Sequence, residues 1–371
     1  MASVQTTNAA VLYPGTGREL RVEERPLWPP KPHEAQIQVL ATGLCGSDLH
    51  YYSHGRNGDF QVRQPLVLGH EAAGIVTAIG SGVTHLRVGQ RVAIEAGIYC
   101  RQCSYCQKQR LPDSCSFEQA SLAEPLSVLI HASRRANLAA GQTVLVFGVG
   151  TIGLLACALA KARGASKVVA VDINPSRLEF AKTHGFASQT FCLPSSSSSP
   201  SSSHSCSHSQ PQSRPQATPQ QLSAEKRKEI DDQMRRLKDN MSSILNEFGQ
   251  KDGFDLVYEC TGAEMAIQMS VFGACTGGKV MLIGMGSRNV MMPLSSAACR
   301  EVDILGSFRY CDTYPDALAL LASGELDGVD NLVTHRFGLD DTKKAFEMMA
   351  KGVDDDGNMV LKVMVGPGSA A

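Results

Sequence analysis

The chain of 371 residues is long enough for two domains, since a globular domain typically has roughly 100–200 residues. Apolar residues make up 43% and charged residues 19%, so a sizeable core can be buried. The formal net charge of -1 gives no general attraction to nucleic acid or to an anionic membrane, and the longest strongly apolar run, residues 152–160, is too short to span a bilayer. The amino terminus lacks a basic stretch followed by an apolar one, so we expect no signal peptide and a cytoplasmic protein.

The first hundred residues are rich in Val, Ile, Gly and Pro, with short apolar runs such as residues 35–43 and 74–80. Turn residues separate these runs at short intervals, which predicts an all-β module.

From Gly141 the pattern changes to strands alternating with helices. Strands are predicted at residues 142–148, 166–172, 254–262, 278–284 and 302–308, and helices at 151–161, 175–185 and 263–274. Helices near residues 313–323 and 340–351 and a closing strand at 359–365 follow. The alternation predicts an α/β fold with a parallel, doubly wound sheet.

One segment fits neither pattern. Residues 194–221 are almost entirely Ser, Pro, Gln and His, which cannot bury enough apolar surface to offset the entropy of ordering, so we expect a disordered surface loop. His204 and His208 in it are expected to be solvated rather than metal ligands. Residues 223–248 then place apolar side chains at helical spacing, which predicts a charged amphipathic helix.

A glycine-rich turn, GVGTIG, follows the strand at 142–148 and opens a helix. Gly148 permits the tight turn, Gly150 lets the backbone approach a pyrophosphate, and Gly153 packs helix on strand. Asp172 ends the next strand, where a carboxylate accepts from ribose hydroxyls and repels a 2′-phosphate, so NAD is expected rather than NADP. Arg177 is close enough in sequence to contact the ribose or a phosphate. A purely structural glycine turn is the alternative.

Two groups of residues have the chemistry of metal ligands. Cys45, His70 and Glu71 offer a thiolate, an imidazole and a carboxylate, which suit Zn²⁺. Considered alone, Cys45 fits a small buried apolar residue equally well, and His70 fits a core histidine. Three further cysteines, Cys100, Cys103 and Cys106, have a spacing that seldom serves packing, and a structural zinc needs a fourth ligand. The next cysteine is Cys115.

Together these features resemble the zinc-dependent medium-chain alcohol dehydrogenase superfamily, in particular its sorbitol/xylitol dehydrogenase branch. The resemblance covers almost the whole chain and is carried by CGSDLHYY, GHE, the cysteine trio, AEPLSV, GVGTIG, ECTG and GSFRYCDTYP. It implies a GroES-like β-rich catalytic domain and a Rossmann NAD-binding domain. The expected limits are residues 1–127 and 128–308, the latter with an insert at 194–222, and a return to the catalytic domain at 309–371.

The resemblance also implies the roles of individual residues. Cys45, His70 and Glu71 correspond to the catalytic zinc ligands, and Glu124 lies at the zinc, where the alcohol dehydrogenases have a cysteine. Tyr51, Arg309 and Tyr310 match positions that contact the polyol. The nicotinamide half of NAD is expected against Ile283, Gly284, Met285, Ser307, Phe308 and Arg309, and the glycine turn contributes Ile152. Zinc is expected to polarise the alcohol, hydride to pass to NAD, and the proton to leave through Ser47, the ribose and His50. Relatives are dimers or tetramers, so a homo-oligomer is expected.

Two departures from the family pattern stand out. After Arg110 a few tens of residues are missing, including the family's fourth cysteine, so either Cys115 replaces it by proximity or the structural zinc is absent or three-coordinate. The Ser-rich insert is the opposite anomaly, and together they suggest a mis-spliced or mis-predicted gene product. The alternatives that remain are a threonine or simple alcohol dehydrogenase, a zinc-free quinone reductase, and a non-catalytic chain whose β module does not close.

Overall fold

A computed structural model describes residues 5–15, 17–96, 115–194, 224–286 and 289–367. Up to residue 96 the described chain forms β1 (Thr6–Leu12), β2 (Leu20–Pro26), β3 (Ala35–Gly43), α1 (Gly46–His54), β4 (Arg56–Asn57), β5 (Phe60–Gln61), β6 (Leu66–Val67), β7 (Glu71–Ile79) and β8 (Arg91–Glu95).

The remaining elements begin after residue 115. They are α2 (Phe117–Ser121), α3 (Ala123–Ala136), β9 (Thr143–Phe147), α4 (Thr151–Ala162), β10 (Lys167–Asp172), α5 (Pro175–Thr183), β11 (Gln189–Cys192), α6 (Ala224–Glu247), β12 (Phe254–Glu259), α7 (Glu264–Gly273), β13 (Ala274–Leu282), α8 (Leu294–Ala298), β14 (Asp303–Gly306), α9 (Tyr314–Ser323), β15 (Val333–Gly338), α10 (Thr342–Lys351) and β16 (Lys362–Gly366).

The central feature is a six-stranded sheet in the order β11-β10-β9-β12-β13-β14, with every neighbouring pair parallel. Alternate residues of β9 enter two separate cores: Val144 and Val146 pack with α3, α4 and α9, whereas Leu145 and Phe147 pack with α6 and α7. Helices therefore cover both faces, which is why the strands are apolar on both sides. The predicted doubly wound α/β fold is confirmed.

The β-rich module is built on a five-stranded sheet in the order β15-β16-β3-β7-β8 and a three-stranded sheet in the order β2-β1-β6. β16 comes from the end of the chain and pairs antiparallel with β3. The expected limits at 127/128 and 308/309 remain predictions, and the first of them falls within α3.

Helix α3 had no counterpart among the predicted elements. Pro125 lies in its first turn, where a missing N–H removes no helical hydrogen bond, so the helix continues through it. The predicted helix at 223–248 is confirmed as α6, whose Leu237, Met241 and Ile244 are buried in the second core. The Ser-rich segment, His204 and His208 lie outside the described residues. Within the described residues, no helix is both long enough and apolar enough to cross a membrane.

Candidate active site

The ends of β3 and β7 bring the three expected zinc ligands together. These strands pair antiparallel with Gly43 opposite Glu71, so Cys45, just beyond β3, faces His70 and Glu71 at the start of β7. One potential ligand atom from each of the three residues lies within 4.8 Å of the other two. A Cβ atom on residue 43 would collide with Glu71 Oε2, so a larger residue at this position would displace the carboxylate. A thiol, an imidazole and a carboxylate converging in this way fit a zinc ion.

Asp48, a residue of the CGSDLHYY motif with no role predicted from the sequence, orients this group. Its buried carboxylate accepts hydrogen bonds from the Cys45 backbone N–H at 3.1 Å and the Gly69 N–H at 3.3 Å, and its Oδ1 lies 3.2 Å from His70 Nδ1. A proton on Nδ1 leaves Nε2 as the free lone pair, as expected for a metal-ligating histidine. Burial lowers the pKa of His70, but hydrogen bonds to Asp48 and Cys45 outweigh burial and raise it to about 12. The surroundings of this imidazole therefore favour a positive charge.

Glu71 is held by a lysine that was also missed. Lys362 Nζ in β16 donates to both carboxylate oxygens, at 2.9 and 2.7 Å, and to the Leu44 carbonyl at 3.1 Å. The two side chains are only 4% and 1% exposed, so the ion pair is fully buried. Burial lowers the pKa of Lys362, but the charge of Glu71, together with that of Cys45 and the hydrogen bond to Glu71, outweighs burial and raises the pKa. The signal in the sequence was a single charged residue within the otherwise apolar run MVLKVMV.

Glu124 lies in the first turn of α3 and is buried. Burial and the charge of Glu71 raise its pKa to about 7, against the opposing effects of His70, Lys362 and Arg309. Tyr310 is half-buried, and burial followed by the charge of Glu124 raises its pKa. Glu124 therefore lies within electrostatic range of His70 and Glu71, and also of Arg309 and Tyr310.

The residues expected to carry the proton lie on or beside α1. Ser47 Oγ is 3.5 Å from His70 Nε2. His50 is half-buried, and burial followed by the charge of His54 lowers its pKa. Tyr51 is half-buried and packs against the third core cluster, which contains Leu44 and Tyr52. Its predicted contact with the substrate remains a prediction.

The glycine turn has the stereochemistry that a dinucleotide site needs. Gly148 has a φ of 90°, and a Cβ on residue 153 would lie 1.7 Å from the Gly148 carbonyl oxygen. Gly150, at the N-cap of α4, has no atom within 4 Å of the position that a Cβ would occupy. The turn is therefore closely packed on the protein side and open at Gly150, where a pyrophosphate would approach the helix N-terminus. Ile152 is partly buried on α4.

Asp172 ends β10 beside this turn. Its carboxylate accepts hydrogen bonds from the Val149 N–H at 2.6 Å and the Asn174 N–H at 2.8 Å, so it also fixes the glycine turn. Among the described residues, no group forms a hydrogen bond with the buried Nε atom of Arg177. A buried donor without a partner in the described residues, on the helix that follows β10, fits the ribose or phosphate of a bound nucleotide.

At the carboxyl ends of β12 and β13, two loops approach very closely. A Cβ atom on residue 262 would lie 2.4 Å from Gly286 N. One on residue 284 would lie 2.2 Å from Gly262 N. The fully buried Glu259, which was missed, accepts from the N–H groups of Thr261 and Gly262 and holds this turn.

The other residues expected at the nicotinamide lie along the same edge. Ser307 Oγ is buried and has no hydrogen-bond partner in the part of the chain that the structure describes. Ile283 is partly buried, and Met285, Phe308 and Arg309 are exposed. Arg309 has a φ of 52° and lies over the Phe308 ring, 6.0 Å from its centroid.

The cysteine trio at 100, 103 and 106 lies outside the described residues, so the second zinc remains a prediction. Cys115 is described: it has a free thiol, is 1% exposed and lies in the first core cluster. Burial raises the pKa of this thiol to about 11. A buried thiol with that pKa behaves as a small apolar side chain.

Comparisons with known families agree with this geometry. A family model described as the alcohol dehydrogenase GroES-like domain matches residues 31–195, and one described as zinc-binding dehydrogenase matches residues 222–323. Similar solved structures include L-idonate 5-dehydrogenase from Escherichia coli, with a TM-score of 0.74, 23% identity and coverage of 98% of this chain and 99% of that one. This likeness shows the fold.

The curated relatives are more similar in sequence. Sorbitol dehydrogenase from Bos taurus is 38% identical, with 98% of each chain covered, and the enzyme from Gallus gallus is 38% identical over 93% of this chain and 94% of its own. The bovine match spans 399 positions although this chain has 371 residues, so the relative contains segments that are missing here. The chain is an oxidoreductase, and it belongs to the zinc-dependent medium-chain alcohol dehydrogenase superfamily, in its polyol dehydrogenase branch.

Proposed function

We propose that this protein oxidises a polyol such as sorbitol or xylitol to the corresponding ketose and transfers hydride to NAD. The observation that carries the proposal is the partly buried Cys45–His70–Glu71 group, beside which the described residues place the carboxyl group of Glu124. The names of the similar curated enzymes support the same substrate class.

Zinc, when bound, would supply Lewis-acid polarisation of the substrate's alcohol oxygen. Around that position, Asp48 fixes the tautomer of His70 and Lys362 balances the charge of Glu71. Without the metal, burial and the charge of Glu71 raise the pKa of Glu124 to about 7, and a bound zinc ion would favour its ionised carboxylate.

The proton that leaves the alcohol is proposed to pass through Ser47 to His50. Ser47 Oγ lies 3.5 Å from His70 Nε2, at the edge of the ligand group. Because its pKa is lowered, His50 is mainly neutral at physiological pH and can accept a proton. Arg309, with its fork of donors, and Tyr310 are proposed to bind the remaining hydroxyl groups, and Tyr51 to line the same pocket.

NAD rather than NADP is proposed because a carboxylate at Asp172 repels a 2′-phosphate. Replacing Asp172 by alanine should bring the kcat/KM values for NAD and NADP closer together. The ratio is the quantity to compare, because the loss of the bond to Val149 N–H weakens the turn for both cofactors. An unchanged ratio would argue against the ribose assignment.

The reaction is tested with purified, zinc-supplied protein by following NADH formation with sorbitol, xylitol, threonine and ethanol. Cys45→Ser should abolish activity, whereas Cys299→Ser, at an exposed free cysteine, serves as the matched control. Loss of NAD binding in Cys45→Ser would contradict separate metal and cofactor sites. A folded protein that binds NAD but oxidises none of the four substrates would favour the non-catalytic alternative, which the missing segments motivate.

A cytoplasmic homo-oligomer is also proposed. β14 is the terminal strand of the six-stranded sheet, and Leu294 and Phe308, close to it in sequence, are 63% and 64% exposed. Large exposed apolar side chains near a free strand edge favour association with a second copy. Sedimentation of the purified protein measures the oligomeric state directly.

A further inference from the structure

His50 and His54 form a second pair of metal-binding side chains, outside the Cys45–His70–Glu71 group. They lie one helical turn apart on α1, and their ring centroids are 6.0 Å apart with the planes inclined by 31°. Residues at i and i+4 project from the same face of a helix. Two histidines at that spacing are a known arrangement for binding zinc.

Both imidazoles have unused nitrogen atoms. Within the described residues, neither ring makes a hydrogen bond or an ion pair with another protein group. His54 is exposed, so an ion can reach the pair from solvent, and His50 is half-buried. The lowered pKa of His50 keeps its ring neutral, which is the form that binds metals.

The spacing of the rings is close to what a shared ion needs. Zn–N distances of about 2.0–2.1 Å and tetrahedral angles place two ligating imidazole centroids about 5 Å apart. A small side-chain rotation of the exposed His54 closes the difference from the observed 6.0 Å. His54 ends α1 next to the left-handed cap Gly55, so its side chain is not enclosed by a following helical turn.

We propose that His50 and His54 together bind a divalent transition-metal ion, distinct from the zinc ions expected at Cys45 and at the cysteine trio. Zn²⁺ is the physiological candidate, and this ion inhibits the enzyme. The ion occupies the lone pair of His50 that would otherwise receive the proton from the active site. Inhibition thus rests on the proposed function of His50, whereas metal binding at the pair does not.

Zinc binding to the zinc-loaded protein is measured by calorimetry, because titrating with zinc itself avoids exchange of the metal at Cys45. His54→Gln removes one ligand and leaves His50 itself in place, and His85→Gln replaces another exposed histidine as a matched control. We expect an additional binding event in the unmodified protein and in His85→Gln that is lost in His54→Gln. Excess zinc should inhibit polyol oxidation by the unmodified protein and by His85→Gln but not by His54→Gln. At low zinc, the three proteins should have equal activity.

Retention of the additional event in His54→Gln, or its absence from the unmodified protein, would overturn the site. If His54→Gln loses the binding event but is still inhibited by excess zinc, the inhibitory role is overturned. If none of the proteins oxidises a polyol, the proposed function fails, and calorimetry alone still decides whether the histidine pair binds zinc.

Discussion

The buried ion pair between Lys362 and Glu71 gives the most quantitative prediction. The side chains are 4% and 1% exposed, and the ammonium group lies 2.9 and 2.7 Å from the two carboxylate oxygens, so water does not screen the interaction. Lys362→Met keeps the approximate length of the side chain and removes its charge, which leaves the buried carboxylate of Glu71 without its hydrogen-bonded ion-pair partner. Breaking a buried pair from one side costs about 3–5 kcal/mol, and we expect a loss of this size in the free energy of unfolding of the metal-free protein.

The assay is urea-induced unfolding followed by circular dichroism in the presence of a chelator. Lys344→Met is the matched control: its ammonium lies 2.6 Å from Asp341, but the two side chains are 74% and 49% exposed. Such a surface pair contributes about 0–1 kcal/mol. The double variant Glu71→Gln/Lys362→Met should recover much of the loss, because no uncompensated charge remains. A loss below about 1 kcal/mol for Lys362→Met, or a double variant as unstable as the single one, would refute this reasoning.

Three further predictions follow from the same geometry. Gly150→Ala should leave the urea midpoint unchanged, because the new methyl group enters open space, and should weaken NAD binding, because that space is where the pyrophosphate is expected. Gly153→Ala should lower the urea midpoint as well, because its methyl group would collide with the Gly148 carbonyl oxygen. Equal stability of the two variants would contradict this difference in packing. In metal-free protein, the raised pKa of Glu124 means that the folded state binds more protons than the unfolded state between about pH 4.5 and 7. Stability should therefore fall across that range by at most about 3 kcal/mol and level off above it, and Glu124→Gln should lose this fall. Asp48→Asn should weaken zinc affinity about 10–100-fold, because the ring of His70 loses the carboxylate that orients it. Competition with a chelating dye measures this affinity, and an unchanged value would argue against the orienting role of Asp48.

The parts of the fold that were predictable are those whose signal is local in sequence. Apolar runs bounded by turn residues located β9, β10 and β12 because both faces of a central parallel strand are buried. The glycine turn could be predicted because each of its three glycines has its own stereochemical requirement, and the structure shows a different environment at each one.

The parts that were missed depend on contacts between distant residues. Lys362 reaches Glu71 across 291 positions of sequence, and nothing near either residue encodes the pairing of β16 with β3. Asp48 lay within a motif that was already recognised, but its acceptor role appears only once Gly69 and His70 are adjacent in space. Glu259 was assigned to a strand, and its side chain proves to close the turn that follows.

The central claim is that a zinc ion binds between Cys45, His70 and Glu71, next to the dinucleotide site. The most direct measurement is an anomalous difference map at the zinc absorption edge from crystals grown with zinc and NAD. We expect a peak bounded by the Cys45 sulfur, His70 Nε2 and the carboxylates of Glu71 and Glu124. A well-ordered pocket that contains NAD and shows no zinc peak at this position, with zinc in excess, would contradict it.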